Sequence, residues 1–344
     1  MNLLRQSVSV VLLFCLAITV CAQDPQDQDP DIIRVDTSLT NLLFTATDKQ
    51  NRYITTLKEQ DLRLIEDGVP QTMTTFQRET DRPLAIAFLI DVSASQERTL
   101  SDEKAATRAF IETVIKSNKD EAAMIAFTHS AFLEQDLTRD VISLYRALQR
   151  IEVAMPSYLG GGTPIPGIVS GPGMLAPPPE GSTAIWEAIA LTNARVLAAR
   201  SRNPGENQRR RAIILLTDGF DTSSRLKRSE AVSSAIATES VIYAIGIGDG
   251  KYSGVDKGAL RQLAESTGGR AFFPKKQVDL TKAFSEIEQE LRTQYLITYT
   301  STNKVRDGSY RKIRLEIVDP LLQKEKLKLR YRPGYFANRL QSPN

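Results

Sequence analysis

An uninterrupted apolar run, Leu84-Ala-Ile-Ala-Phe-Leu-Ile90, empties directly into Asp91-Val-Ser93-Ala-Ser95. The run reads as a strand. One carboxylate and two hydroxyls at alternate positions after it aim three oxygens at a single point, the beginning of a site for a hard cation. The run is also the first of six strand-like segments, at 84–90, 122–128, 132–137, 212–216, 241–247 and 269–273. Helical patterns fall between most of them. One is expected to be capped at Ser101-Asp-Glu and to carry Ala106, Phe110 and Val114 on one face. A second starts at Thr183 with Ile185, Ile189 and Val196. A last one, from near Asp279, carries Leu280, Phe284, Ile287 and Leu291. Strands alternating with helices predict an α/β fold, a doubly wound Rossmann-like sheet with right-handed crossovers. The second and third strands stand too close for a helix between them and are expected to pair as a hairpin with an antiparallel edge.

Strand order decides whether the opening triplet has a complement. In the order 3-2-1-4-5-6 the first and fourth strands are neighbours, and their carboxyl ends flank the crevice where ligands bind. Strand one ends at Asp91 and strand four at Thr217-Asp218-Gly219. Asp91, Ser93, Ser95 and Asp218 then share one rim, with the Thr183 hydroxyl close by. Thr163, in Gly160-Gly-Gly-Thr163-Pro, competes for the threonine position. Pro164, Pro166 and Gly167 argue against a helix start there, so Thr183 is preferred.

These three segments, Asp91-Val-Ser93-Ala-Ser95, Gly181-Ser-Thr183-Ala-Ile-Trp-Glu-Ala-Ile189 and Leu215-Leu-Thr-Asp218-Gly219, resemble the von Willebrand factor type A domain over residues 82–294. They match its metal-ion-dependent adhesion site. The flanking segments resemble a group of exported bacterial proteins that carry this domain. The resemblance implies that Ser93, Ser95 and Thr183 offer hydroxyls to a cation while Asp91 and Asp218 hold it directly or through water. It also implies a protein partner that completes the coordination with an Asp or Glu carboxylate. Gly181, Ser182, Gly219, Phe220 and Asp221 form the rim that would face such a partner, Asp221 reading chiefly as a turn or cap residue. All-oxygen ligands with few carboxylates suit Mg²⁺, with Mn²⁺ and Ca²⁺ as alternatives. Asp249 and Asp256, after strand five, read as solvated loop residues.

Composition narrows the function classes. The 344 residues hold 44 basic and 41 acidic side chains, a balance that gives no footprint for nucleic acid or a polybasic membrane anchor. A single histidine, His129, removes most zinc sites and most histidine catalysis. Both cysteines, Cys15 and Cys21, lie in a signal-like N-terminus, 1–22, with Arg5 ahead of a short apolar stretch and Val20-Cys21-Ala22 before Gln23. Cleavage there predicts a secreted or periplasmic product without disulfides; lipid anchoring through Cys21 fits poorly after Val20. No later segment supplies the roughly 20 apolar residues of a membrane span. A Mg²⁺-dependent hydrolase or phosphotransferase on a similar sheet would want a second carboxylate two residues after Asp91, where Ser93 stands. No phosphate-binding loop, nucleophile elbow or dinucleotide turn is present. A structural domain whose metal site needs no partner is the third alternative.

Around this block lie a polar leader (23–31), a β segment (32–80), a second β segment (295–337) and a tail (338–344). Leu42, Phe44 and Ala46 alternate in the first, with a turn at Asp67-Gly68; Tyr295, Ile297 and Tyr299, then Ile313, Leu315 and Ile317, alternate in the second. Each is too small to fold alone, which predicts one composite β-sandwich-like domain, split in sequence and joined in space. Asp319-Pro320 reads as a turn, Lys328, Arg330 and Arg332 as a solvated stripe, and Arg209-Arg-Arg211 as a solvated loop. The Pro- and Gly-rich loop 155–182 has no periodicity and ends beside Thr183.

Overall fold

The computed structural model describes residues 39–78, 82–116, 118–153, 163–164, 182–198, 209–248 and 254–337. The signal segment, the leader, most of loop 155–182 with Gly181, Asp249 and the tail lie outside the described residues.

The chain begins with β1 (Leu39–Thr47), β2 (Leu62–Glu66), β3 (Val69–Gln71) and β4 (Met73–Arg78). Asp67 and Gly68 join β2 to β3 with φ of 49° and 85°, the left-handed pair that a tight primed turn requires. The middle of the chain supplies β5 (Leu84–Asp91), α1 (Leu100–Val114), β6 (Glu121–Phe127), β7 (Ala131–Thr138), α2 (Val141–Arg150), β8 (Thr163–Pro164), α3 (Ile185–Leu191), β9 (Arg210–Thr217), α4 (Arg228–Ala237), β10 (Ser240–Gly246), α5 (Lys257–Ser266), β11 (Ala271–Phe272) and α6 (Gln277–Thr293). The last part holds β12 (Tyr295–Thr300), β13 (Tyr310–Ile317), α7 (Pro320–Glu325), β14 (Lys328–Tyr331) and β15 (Gly334–Phe336).

The central sheet has the order β11-β10-β9-β5-β6-β7-β8. β11, β10, β9, β5 and β6 run parallel, and β7 turns back antiparallel. Read by sequence rank, the six expected strands stand in the order 3-2-1-4-5-6. One feature differs. Thr163 and Pro164 pair with Leu133 and Phe132, so β8 and not β7 forms this edge. A proline is tolerated there because an edge strand has one side without ladder partners.

Every residue of β5 and β9 is buried, and the period-2 pleat sends alternate side chains to two layers. Leu84, Ile86, Phe88 and Ile90 pack with Phe110, Ile111, Leu144, Phe284 and Ile287 from α1, α2 and α6. Ala85, Ala87 and Leu89 meet Ile185, Ile189, Ala231, Leu260 and Leu263 from α3, α4 and α5. α1 starts one residue before Ser101, with Thr99 and not Ser101 at its N-cap. α3 starts two residues after Thr183 and continues into a π-helical segment, Thr192–Leu197.

The flanking strands interleave. One four-stranded sheet is β14-β1-β12-β4 and the other β15-β13-β2-β3, each mixing strands from both ends of the chain. They share a core of Leu42, Phe44, Leu62, Leu64, Tyr295, Ile297, Tyr299, Ile313 and Leu315. Tyr295 stacks on Phe44 and Phe76 at 5.0 and 5.3 Å between ring centroids. Inside this sandwich-like unit Glu66 is fully buried. Its carboxylate accepts from Tyr299 Oη (2.7 Å), Tyr335 Oη (2.9 Å), Arg311 Nη1 (3.2 Å) and the Ser301 hydroxyl. Asp319-Pro320 opens α7 instead of a bare turn. Asp319 Oδ1 accepts from Leu321 N (2.8 Å) and Leu322 N (2.9 Å), and Pro320 occupies a first-turn position that needs no donor.

Basic residues expected in solvent are structural. Arg210 and Arg211 are buried at the start of β9. Arg210 Nη1 donates to Leu291 O and to Gln294 Oε1 (3.2 Å) at the end of α6. Arg211 donates to Leu197 O (3.1 Å) and Thr238 O (3.2 Å). Arg209 reaches Lys119 O (3.2 Å) and Glu121 (3.4 Å). Carbonyls at helix ends need donors, and guanidinium groups meet that need while complementing the helix dipole. From the stripe on and just beyond β14, Arg330 pairs with buried Glu290 of α6 (3.6 Å) and Arg332 donates to Asn41 O (2.7 Å); of the three, Lys328 alone is exposed. Among the described residues no helix is long and apolar enough to cross a membrane.

Candidate metal centre

The carboxyl ends of β5, β6 and β9 meet at one rim. Asp91, the last residue of β5, is 0% exposed. Its Oδ1 accepts from Ser93 N (2.9 Å), and its Oδ2 accepts from Thr217 Oγ1 (2.5 Å) across the β5–β9 boundary. The turn after the strand therefore folds back on its own carboxylate. That turn brings Ser93 Oγ to 3.0 Å from Ser95 Oγ. Gln96, also buried, extends the constellation: its Nε2 lies 3.4 Å from Ser95 Oγ, and its Oε1 accepts from Thr99 Oγ1 (3.0 Å).

Thr183 enters from the far side of the crevice. Ala184 N donates to Thr128 O (2.8 Å) just past β6, while Thr183 N donates to Thr222 Oγ1 (2.8 Å). Thr183 O accepts from Thr222 N (2.9 Å) and Ser223 N (3.1 Å). The threonine is thus strapped between the end of β6 and the loop that follows β9, and it is buried. Thr163 lies in β8 at the sheet edge, away from this strap.

Asp218 follows β9 and is buried. Its carboxylate accepts from Phe220 N (3.1 Å), and its carbonyl from Asp256 N (2.9 Å). Gly219 takes φ +86°, and a Cβ there would stand 2.8 Å from Leu260 Cγ and 3.2 Å from Asp256 O. Only glycine fits both that conformation and that approach. Burial raises the Asp91 carboxyl to about 6; the Thr217 and Ser93 hydroxyls and the Ser93 N–H oppose the shift, and the Asp218 charge adds to it. Among the described residues neither Asp91 nor Asp218 has a basic partner. No three His, Cys, Asp or Glu side chains among those residues stand close enough to hold an ion by themselves. A cation here must rely on hydroxyls as well as carboxylates. Two buried carboxylates without a counter-ion beside a pair of hydroxyls fit a hard divalent ion.

The residues expected to face a partner divide. Phe220 is 46% exposed beside Asp218, and Ser182 is buried with an unpartnered hydroxyl. Asp221 is half-buried and bonded within the chain. Its Oδ2 accepts from Trp186 N (3.2 Å) and Ser224 Oγ (2.5 Å), and its Oδ1 from Ser224 N (3.1 Å). It caps the start of α3, because the first turn of a helix always leaves N–H groups to satisfy. Asp256, read as a solvated loop residue, caps α5 through Ala259 N (2.9 Å). His129 is exposed.

Two models described as the von Willebrand factor type A domain match residues 86–220 and 175–287 and together span the sheet and this rim. The chain is a member of the von Willebrand factor type A family. Domains of this family commonly hold a divalent cation at an adhesion site and mediate protein interactions. Similar solved structures include proximal thread matrix protein 1 from the mussel byssus, at 17% identity and TM-score 0.48, over 66% of this chain and 51% of that one. The chain thus spans about half the length of the mussel protein. Another is a hypothetical protein, BatB, from Bacteroides thetaiotaomicron, at 20% identity and TM-score 0.44, over 60% and 98% of the two chains. A third is a von Willebrand factor type A protein from Catenulispora acidiphila, at 15% identity and TM-score 0.47, over 81% and 73%. No curated protein matches the sequence.

Within this von Willebrand factor type A domain the sequence pattern passed over Thr217, Thr222 and Gln96. Thr217 carried a signal in retrospect, a hydroxyl next to Asp218 and directly across the ladder from the Asp91 strand. Thr222 and Gln96 carried none, since a polar loop residue is ordinary.

Proposed function

We propose that the α/β domain is a non-enzymatic, metal-dependent protein-binding module. In this reading Ser93, Ser95 and Thr183 supply hydroxyls to one Mg²⁺, with Asp91 and Asp218 as direct or water-relayed carboxylates. Mn²⁺ and Ca²⁺ are the alternatives that the same oxygens admit. An octahedral ion held this sparsely keeps a position for an outside oxygen, and a partner's Asp or Glu carboxylate fills it. The exposed Phe220 ring beside Asp218 gives that partner an apolar contact.

The observation that carries the reading is the Ser93–Ser95 hydroxyl pair, 3.0 Å apart, next to a buried Asp91 carboxylate that lacks a basic partner among the described residues. Ser93, two residues beyond Asp91, also occupies the place where an acid/base carboxylate would serve a hydrolase. The signal-like residues 1–22 support export of the chain.

Calorimetry on the protein should give one Mg²⁺ or Mn²⁺ per chain, and Asp91→Ala should abolish uptake. Capture of proteins from an envelope fraction should depend on the cation, be blocked by EDTA and be lost in Asp91→Ala. Turnover of generic phosphate or ester substrates that disappears in Asp91→Ala would replace the binding reading by an enzymatic one.

A further inference from the structure

Behind the rim a third carboxylate is unaccounted for. Glu103 lies in the first turn of α1, is 0% exposed, and has no hydrogen-bond partner at either Oε1 or Oε2. Glutamate is almost never fully buried unless paired. The nearby Thr99 hydroxyl is directed to Gln96, at 3.0 Å from Oε1 and 3.3 Å from the carbonyl oxygen. Thr107, one turn further along the same helix, also holds a buried hydroxyl without a partner. Polar groups left unpartnered inside a protein are places where water or an ion completes the bonding. Burial pushes the Glu103 carboxyl up to about 8; the neighbouring Thr99 hydroxyl opposes that shift, while the charges of Asp91, Asp218 and Asp102, all of its own sign, add to it. A leucine or glutamine at this position would fill the space without that cost.

We propose that Glu103 is a further acidic group of the cation site, accepting hydrogen bonds from the hydration shell of the ion on its α1 side. The inference rests on the metal-binding reading above. Glu103 acts at one remove, since no three acidic side chains among the described residues lie close enough to grip an ion directly. The route between them is short in sequence and covered by side chains on the page: Ser95 to Gln96 to Thr99, one helical turn before Glu103. With the cation in place, its charge compensates a carboxylate that otherwise faces only like charges. Glu103 would then tighten the hold on the ion while leaving the partner's coordination position free.

The test compares the full chain with Glu103→Gln and Glu103→Leu by Mg²⁺ and Mn²⁺ calorimetry and by thermal melting in EDTA. Both variants should lose roughly tenfold or more in affinity, the scale of an outer-shell partner. In EDTA they should melt at or above the parent temperature, because an unpartnered buried acid has been removed. An unchanged affinity in Glu103→Gln overturns the inference and leaves the metal reading intact. Lower melting temperatures of both variants in EDTA overturn it as well, by making Glu103 a structural group. Absence of uptake in the parent removes the metal reading and this inference together.

Discussion

Asp91 has a carboxyl raised from 3.8 to about 6, chiefly by burial, and the sign of that shift sets how the metal-free protein responds to pH. Between those values the folded state holds a proton that the unfolded state has released. Stability therefore falls as pH rises through this window and is greatest below it. At about 1.4 kcal/mol per unit the contribution is on the order of 3 kcal/mol. In EDTA the parent should lose stability from pH 4 to above 6, and Asp91→Asn should flatten that part of the curve; urea unfolding at several pH values measures it. Mg²⁺ affinity should run the other way, weakening as pH drops below about 6. At this scale the placing of Asp91, Ser93, Ser95 and Asp218 on one rim was legible because alternate spacing and strand counting need only local pattern. The Thr217 hydrogen bond was not, since it joins residues 126 positions apart. Glu103 was hidden for another reason: an acidic residue in a first helical turn reads as a complement to the helix dipole.

Among the elements, α3 does most to bring the far side of the site to the rim. Its start is fixed by Asp221 and Ser224, which accept and share the N–H of Trp186, while the adjoining Thr222 and Ser223 hold Thr183. Asp221→Ala should cost about 1 kcal/mol, the usual value of a lost cap, seen as a lower urea midpoint. It should also weaken Mg²⁺ binding several-fold by loosening the loop that straps Thr183, with calorimetry as the readout. The helix pattern found α3 correctly because Ile185 and Ile189 recur at helical spacing. Its cap escaped detection because the capping residue comes from a different loop, 35 positions later. The same physics explains Arg210 and Arg211. A guanidinium reads as solvated in sequence, yet helix ends supply buried carbonyls that only the folded chain brings within reach.

The whole molecule is held together by bonds between its two parts. Glu290 of α6 accepts from Tyr53 (3.3 Å) near β1 and from Tyr243 (3.4 Å) on β10, and pairs with Arg330 of β14. Asn41 on β1 donates to Glu239 beyond α4 (3.0 Å). Gly268, at φ +86°, lets the turn after α5 lie against the Arg332 backbone, 2.8 Å from where a Cβ would be. These contacts predict that the parts unfold together. Glu66→Ala, which strands the buried Arg311 guanidinium in the sandwich-like unit, should destabilise by about 3–5 kcal/mol. Trp186 is the only tryptophan and lies in the α/β domain. Its fluorescence midpoint in urea should shift with the circular dichroism midpoint, and separation of the two would refute the coupling. The union of the two flanking segments could be foreseen because each was too small to bury a core alone. The ties to α6 could not, since their polar members looked like surface.

The α/β domain leaves and rejoins the sandwich-like unit at one point: β4 ends at Arg78, which pairs directly with Tyr295, the first residue of β12. Tension applied between Leu39 and Phe336 therefore has a short route through the β1–β14 ladder and the link from β14 to β15, without entering the 84–293 block. A pull applied at the Asp91–Asp218 rim would enter that block and leave it through the ties to the strands, Glu290–Arg330 and Asn41–Glu239 among them. Force applied at the rim and force applied end to end would thus take different routes through the molecule.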